Sequence, residues 1–191
     1  THIVHLAGAG IAEKAWTKKR KKIIVKSRVL TSRLLHSKIS TLNLNISAFI
    51  SASAVGIYGA QLSDKIFTEE DQVFEDFMGN CCKQWENAVD QFKPITRTVK
   101  FRLGVILDKN HGALPRIANM VKNGLGSLLG DGKQYMPWIH IEDAVNLFFE
   151  AILKKNISGT FNAVSGDFID NRNLTMKIGE ELNKKISKAS P

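Results

Sequence analysis

Long apolar runs are missing from this sequence: no window approaches the ~18 to 20 consecutive apolar residues that a membrane-spanning helix needs. Cysteine is scarce too. Cys81 and Cys82 are adjacent in a segment that reads as helix. Neighbours on a helix point in different directions, so a disulfide between them is not expected. They also lack the spacing of a zinc site, and no metal is expected. The reading is of two small, semi-buried residues in a reducing cytoplasm. Thr1 to Leu6 show neither the basic start nor the apolar stretch of a signal peptide, so the expectation is a cytoplasmic protein with no membrane partner. Thr1 is not an initiator methionine, and the chain is expected to begin inside a longer one.

Acidic residues are outnumbered. Against 18 Asp and Glu stand 27 Lys and Arg, a net charge of +9. Much of the excess is local: Lys18-Lys19-Arg20-Lys21-Lys22 is one run, and Lys184, Lys185 and Lys188 crowd the end. No aromatic residue interleaves with the first run to make a stacking platform, so a nucleic-acid partner is not expected. The run reads as a solvated helix face, with contact to a phosphate as the alternative. Hydrophobic residues make up 43% of the 191 and charged residues 24%, which fits one globular domain with a sizeable core.

Two short runs, Ile3 to Ala7 and Ile46 to Ser51, read as buried strands that end in side-chain-poor turns. Between them, Thr17 to about Leu42 shows helical spacing. Ile23, Leu30 and Leu34 form one stripe, and Val29, Leu35 and Ile39 widen it into an expected core face. Strand, helix and strand make a crossover unit of a parallel sheet. The alternation continues with a helix from Phe74 to about Phe92, a strand from Thr98 to Leu103 and a helix from Leu114 to Lys122. Loops follow at Gly124-Leu125-Gly126 and Gly130-Asp131-Gly132. Then come a helix from Glu142 to Lys154, a strand from Thr160 to Val164 and a final helix from Asn173 to Lys185. The fold class is α/β, a doubly wound parallel sheet.

Ligands of such sheets sit at the carboxyl ends of strands. Three strand ends suit that role here. Ala7-Gly8-Ala9 would let a flat cofactor approach, or is a plain tight turn. Ser51-Ala52-Ser53 places hydroxyls where a carbonyl could be polarised, or a turn capped. At Arg102-Leu103-Gly104-Val105 a glycine again permits close approach.

Together these segments are similar to the extended short-chain dehydrogenase/reductase family, and within it to an epimerase-like branch labelled NAD-dependent epimerase/dehydratase or cell division inhibitor-like. The matching residues are His5-Leu6-Ala7-Gly8, Ser51-Ala52-Ser53 with Tyr58-Gly59, Thr68-Glu69, Trp85-Glu86, Gly130-Asp131-Gly132 and Pro137-Trp138-Ile139-His140-Ile141-Glu142-Asp143. The resemblance implies a Rossmann-like fold whose first strands are missing, with a small substrate-side lobe. It implies one partial NAD(P)-binding domain over residues 1–191, with loop-rich substrate-side segments around 108–140 and 160–191. It implies NADP or NAD as cofactor, NADP being slightly favoured, held by Ala7, Gly8, Ala9, Ser51, Arg102 and Val105. Ser53 is the implied catalytic residue and Tyr58 a weaker candidate. The implied activity is that of an oxidoreductase or epimerase-like enzyme on an unknown small carbonyl or alcohol; the alternative is a silent dinucleotide-binding sensor or regulator. A small molecule is the expected partner, and an oligomer is allowed.

Three departures accompany the resemblance. The Gly-x-x-Gly-x-x-Gly segment that holds a pyrophosphate at a helix N-terminus does not occur, and Ala7 to Gly10 would belong to the family's fourth strand. Counting back from Glu86, Met78 and Cys82 stand where the family has its Tyr-x-x-x-Lys pair. Where nucleotide-sugar enzymes carry an arginine, Met136-Pro137-Trp138 offers an apolar segment suited to packing, and His140 reads as a hydrogen-bonded structural residue.

Overall fold

In the computed structural model, which describes residues 1–124, 128 and 130–186, strands and helices alternate along the chain. The elements are β1 (His2–His5), α1 (Lys18–Thr41), β2 (Ala48–Ala54), α2 (Phe77–Asp90), β3 (Arg97–Leu103), β4 (Val105–Leu107), α3 (Ala113–Lys122), β5 (Trp138–His140), α4 (Ile141–Leu153), β6 (Gly159–Ala163) and α5 (Asn171–Glu181). One sheet has the order β1-β2-β3-β6, and a second contains β4 and β5. Strands β1 and β2 are parallel, with His5 opposite Ser51. The protein has the expected α/β, Rossmann-like architecture. The chain resolves into two compact units. The first comprises 1–60, 67–102 and 146–162, and the second 61–66, 103–145 and 163–191.

Helix α1 starts where Thr17, extended at φ −64° and ψ 162°, accepts the Arg20 amide on its hydroxyl. The expected core stripe is corrected here. Ile24, Val29, Ser32 and Ile39 face inward, while Ile23, Leu30 and Leu34 are 41%, 51% and 58% exposed. Three aliphatic residues in register define a stripe, but periodicity does not say which stripe meets the sheet. Beneath the helix, Phe49 stacks on Phe92 with ring centroids 3.7 Å apart, and both are fully buried. Such a pair adds about 0.5–1.5 kcal/mol beyond its buried area.

Helix α2 begins at Asp76, whose carboxylate accepts the Gly79 amide at 2.7 Å. Strand β3 is buried along most of its length. At its start Arg97 donates to the carbonyls of Ala151 and Ile157, satisfying backbone oxygens near the end of α4.

In the second unit, β4 pairs with β5 in parallel, Val105 opposite Trp138. Neither β4 nor β5 was expected, because three residues carry too little pattern. Helices α3 and α5 meet through Val121, Leu174 and Ile178, with Met136 packed against them, the packing role anticipated for that segment. Helix α5 stops at Glu181, short of the expected Lys185, because Asn183 turns left-handed at φ 52°. Leu125, Gly126 and Lys188 lie outside the described residues.

Candidate functional site

Beyond β1 the chain runs outward through Leu6, Ala7 and Gly8, which are exposed, to the half-buried Ala9. Helix α1 fixes this loop from behind. Ser27 Oγ accepts the Ala9 amide at 2.9 Å, and Arg28 Nη1 donates to the Ala9 carbonyl at 3.1 Å. The Arg28 guanidinium lies 5.1 Å from the centroid of the Trp85 ring. A Cβ on Gly8 would stand 2.9 Å from Arg28 Cζ, so this glycine makes room for the arginine. Ala7 and Gly8 therefore present an accessible, side-chain-poor edge.

The neighbouring strand end is different. Ser51 is fully buried; its hydroxyl donates to the Ala52 carbonyl at 2.8 Å and lies 3.3 Å from His5 Nδ1. On the other side of the His5 ring, Nε2 is 3.1 Å from Thr31 Oγ1, whose own proton goes to the carbonyls of Ser27 and Arg28. Burial lowers the His5 pKa below its ordinary value.

Ser53, 2% exposed, donates to Glu86 Oε1 at 2.6 Å. Glu86 is the hub of a buried polar network. Arg102 reaches Oε1 through Nε at 2.9 Å and Oε2 through Nη2 at 3.1 Å. Lys100 lies 3.5 Å from Oε2 and 2.8 Å from Asp90 Oδ1. Burial alone would raise the Glu86 pKa. The hydrogen bonds of Arg102 and Ser53, with the charges of Arg102 and Lys100, outweigh it and hold the carboxyl below its ordinary value. It stays an anion and accepts the hydrogen bond that the Ser53 hydroxyl donates.

Tyr58 closes the network. Its hydroxyl accepts Arg102 Nη1 at 2.9 Å and directs its proton to Asn162 Oδ1 at 2.7 Å, with the Thr68 carbonyl at 3.0 Å. Arg102 Nη1 also donates to the Glu69 carbonyl, and Glu69 Oε1 accepts the Asn162 amide. The Thr68-Glu69 pair thus clamps β6 to the end of β2. Burial raises the Tyr58 pKa despite the opposing hydrogen bond and charge of Arg102, so it is a poor base at neutral pH.

Where the family has its tyrosine and lysine, Met78 and Cys82 close over the turn after β2. A Cβ on Gly56 would lie 3.1 Å from Met78 Cε and 3.8 Å from Cys82 Sγ. Burial, with the neighbouring Cys81 and Glu86, pushes the Cys82 thiol up to about 12. Neither side chain can move a proton at pH 7.

Of the residues expected to hold a cofactor, Ala7 and Gly8 are exposed and Ala9 is half-buried. The side chain of Ser51 is enclosed, and that of Arg102 is spent on Glu86, Tyr58 and Glu69. Val105 begins β4 in the second unit. The glycine beside it makes its close approach to backbone, since a Cβ on Gly104 would stand 2.7 Å from the Pro137 carbonyl oxygen. His140 is half exposed and its Nδ1 accepts the Glu142 amide at 3.3 Å. Lys100, Asp90, Asn162, Ser27 and Arg28 were not anticipated as site residues. A signal for the first two existed: Lys100 and Arg102 alternate on a buried strand, so both point to one face. Two cations there require carboxylates, and Glu86 and Asp90 stand one turn apart on α2. Among the described residues, no group of three or more His, Cys, Asp or Glu could hold a metal ion, and no helix is long and apolar enough to cross a membrane.

No family model matches the chain. It is 32% identical over 183 residues to an epimerase family protein of Mycobacterium bovis, covering 95% of this chain and 60% of that protein. It is 36% identical over 169 residues to the epimerase family protein YfhF of Bacillus subtilis, covering 87% of this chain and 55% of that one. Among solved structures, human epimerase family protein SDR39U1 with NADPH superposes at a TM-score of 0.88 and 27% identity, over 98% of this chain and 65% of the human one. The chain therefore spans about 60% of the length of the curated relatives it matches. Identity of this order along nearly all of its residues, on a shared sheet, means that the chain belongs to the epimerase family of extended short-chain dehydrogenases/reductases.

Proposed function

We propose that the protein containing these residues binds NADP or NAD, with NADP favoured, and acts as an oxidoreductase on a small carbonyl or alcohol. The observation that carries the reading is the exposed Ala7-Gly8 edge beyond the carboxyl end of β1, where Ser27 and Arg28 fix the following Ala9 from behind. A planar ring needs such a surface, and backbone without bulky side chains supplies it. The structure of human SDR39U1 with NADPH, 27% identical to this chain, supports the choice of dinucleotide. Ser51 and Arg102 fit a structural role and are not assigned to the cofactor.

A nicotinamide dinucleotide would supply hydride chemistry; the proton must come from elsewhere. With its hydrogen given to Glu86, Ser53 offers lone pairs to its surroundings, which suits it to accept from a substrate hydroxyl. It could polarise a carbonyl only by giving up the Glu86 bond. With Met78 and Cys82 unable to act as base and Tyr58 tied into the network, solvent is the proton source. A positioned base contributes ~10²- to 10⁴-fold to such a step, so turnover is slow and nucleotide-sugar epimerisation is not expected. The same features favour, as a second reading, a dinucleotide-binding protein without turnover.

The test is a fluorescence titration of the full-length protein with NADPH and NADH, followed by a carbonyl panel read as loss of reduced cofactor. Binding with turnover supports the oxidoreductase. Binding with no turnover on any substrate leaves the silent sensor, and absence of binding to either dinucleotide overturns both.

A further inference from the structure

We propose that the solvent-facing side of α1 is a docking surface for an anionic lipid bilayer. The helix holds nine Lys and Arg and no Asp or Glu. Nine of the chain's 27 basic residues lie on it, leaving 18 to set against 18 Asp and Glu. The whole net charge of +9 therefore resides on one helix. Three of the nine are occupied within the fold: Arg20 by the Gly10 carbonyl and Glu13, Lys21 over the Phe77 ring, and Arg28 by Ala9 and Trp85. The other six, Lys18, Lys19, Lys22, Lys26, Arg33 and Lys38, are exposed. Their side chains meet no carboxylate among the described residues.

The arrangement strains the isolated protein. Lys18, Lys22 and Lys26 repel one another at i, i+4 spacing, and the run sits at the positive end of the helix dipole. An anionic partner would relieve both. The same face carries the misplaced apolar stripe. At 3.6 residues per turn Ile23, Leu30 and Leu34 fall within an arc of roughly 40°. Lys19, Lys26 and Arg33 flank it on one side and Lys38 on the other.

Charge complementarity selects the occupant. A second copy docked through this face would set six cations against the same six, since a two-fold contact pairs a surface with itself. A nucleic acid would meet the amines, but it would press a charged backbone against Ile and Leu, and α1 offers no aromatic ring for bases to stack on. An anionic bilayer meets both demands. Headgroups receive the ammonium groups on their long stems, and the boundary with the acyl chains receives the aliphatic stripe. This surface is independent of the dinucleotide reading.

The experiment is flotation of the chain with phosphatidylcholine vesicles, with and without phosphatidylserine, at low and high salt. At least about tenfold more protein should float with the phosphatidylserine vesicles at low salt, and salt should remove the difference. The double variant Lys22→Glu, Lys26→Glu should abolish the preference, and Leu30→Ser, Leu34→Ser should weaken it. All four side chains face solvent, so both variants should keep the parent's unfolding midpoint. Equal flotation with both vesicles, or none, overturns the proposal. So does tighter binding to a duplex oligonucleotide than to the anionic vesicles, or a concentration-dependent dimer abolished by Leu34→Ser.

Discussion

Helix α1 and strand β3 are both rich in Lys and Arg, yet one carries its cations into solvent and the other into the interior. On α1, six of nine basic side chains stand exposed without a facing carboxylate among the described residues. On β3, Lys100 and Arg102 are 4% and 7% exposed, and their charged groups are met by Glu86 and Asp90. Water screens the first set, so those charges need no partner within the fold. The second set has lost its water, so each charge must be matched. The same residue types therefore do different work: on β3 they fix how α2 and the end of β2 sit, and on α1 they are left available to something outside the fold.

Breaking the buried side of this contrast should have the largest effect. Glu86→Gln leaves Lys100 and Arg102 without their shared anion and should cost about 3–5 kcal/mol, read from urea unfolding. A loss under about 1 kcal/mol would mean that the interior cations reach water after all.

Tyr58→Phe removes one hydroxyl from the same network. Arg102 Nη1 keeps the Glu69 carbonyl, but Asn162 Oδ1 loses its donor. A loss of about 1–3 kcal/mol is expected. In the full-length protein, any dinucleotide-dependent turnover should persist in this variant, because the Tyr58 hydroxyl is occupied by Arg102, Asn162 and the Thr68 carbonyl. Loss of turnover with unchanged stability would return it to the chemistry.

A titration sharpens the contrast further. His5 is buried without a carboxylate partner, and its pKa is lowered in the folded protein. Between that value and the unfolded value of about 6.5 the unfolded chain binds more protons, so stability rises with pH across the window. It is fully present above about pH 6.5 and is lost as pH falls through the folded pKa. Unfolding midpoints measured from pH 7.5 down to pH 5 should fall, and His5→Gln should flatten the fall. A parent protein with a flat profile there would contradict the burial argument.

The smallest effect belongs to the exposed side. Lys18→Glu places an acid in the first turn of α1, where the dipole favours it, and removes one repulsion with Lys22. A gain of about 0.3–1 kcal/mol is expected at low ionic strength and should disappear in salt. A comparable loss would show that Lys18 has a partner within the fold.

Much of this was legible in the residues. Alternating β-branched runs and helical spacings located four of the six strands and all five α-helices, because burial imposes period 2 or 3.6 on the sequence itself. The family was legible too, from short motifs at fixed separations. The site was less so. Ser51, Ser53 and Arg102 stand at strand ends, and a strand end looks the same in sequence whether its side chain meets a ligand or a buried glutamate. Ala7 and Gly8 carry at most a methyl group, and both are exposed.

By itself, then, the sequence determined the order of the five helices and of four strands, the residues Met78 and Cys82 where the resembling family has Tyr-x-x-x-Lys, and the size of the charge excess. These depend on residue identity and local spacing. Only the tertiary structure decided that Ser53 donates its hydrogen bond to Glu86, that Arg102 is held by Glu86, Tyr58 and Glu69, and that Ile23, Leu30 and Leu34 face outward. The contacts of Ser53 and Arg102 depend on groups brought within a few ångströms across sequence separations of 16 to 44 residues. A hydrogen bond or an ion pair is a property of that distance and of the water excluded around it, neither of which is written in any one segment of the chain.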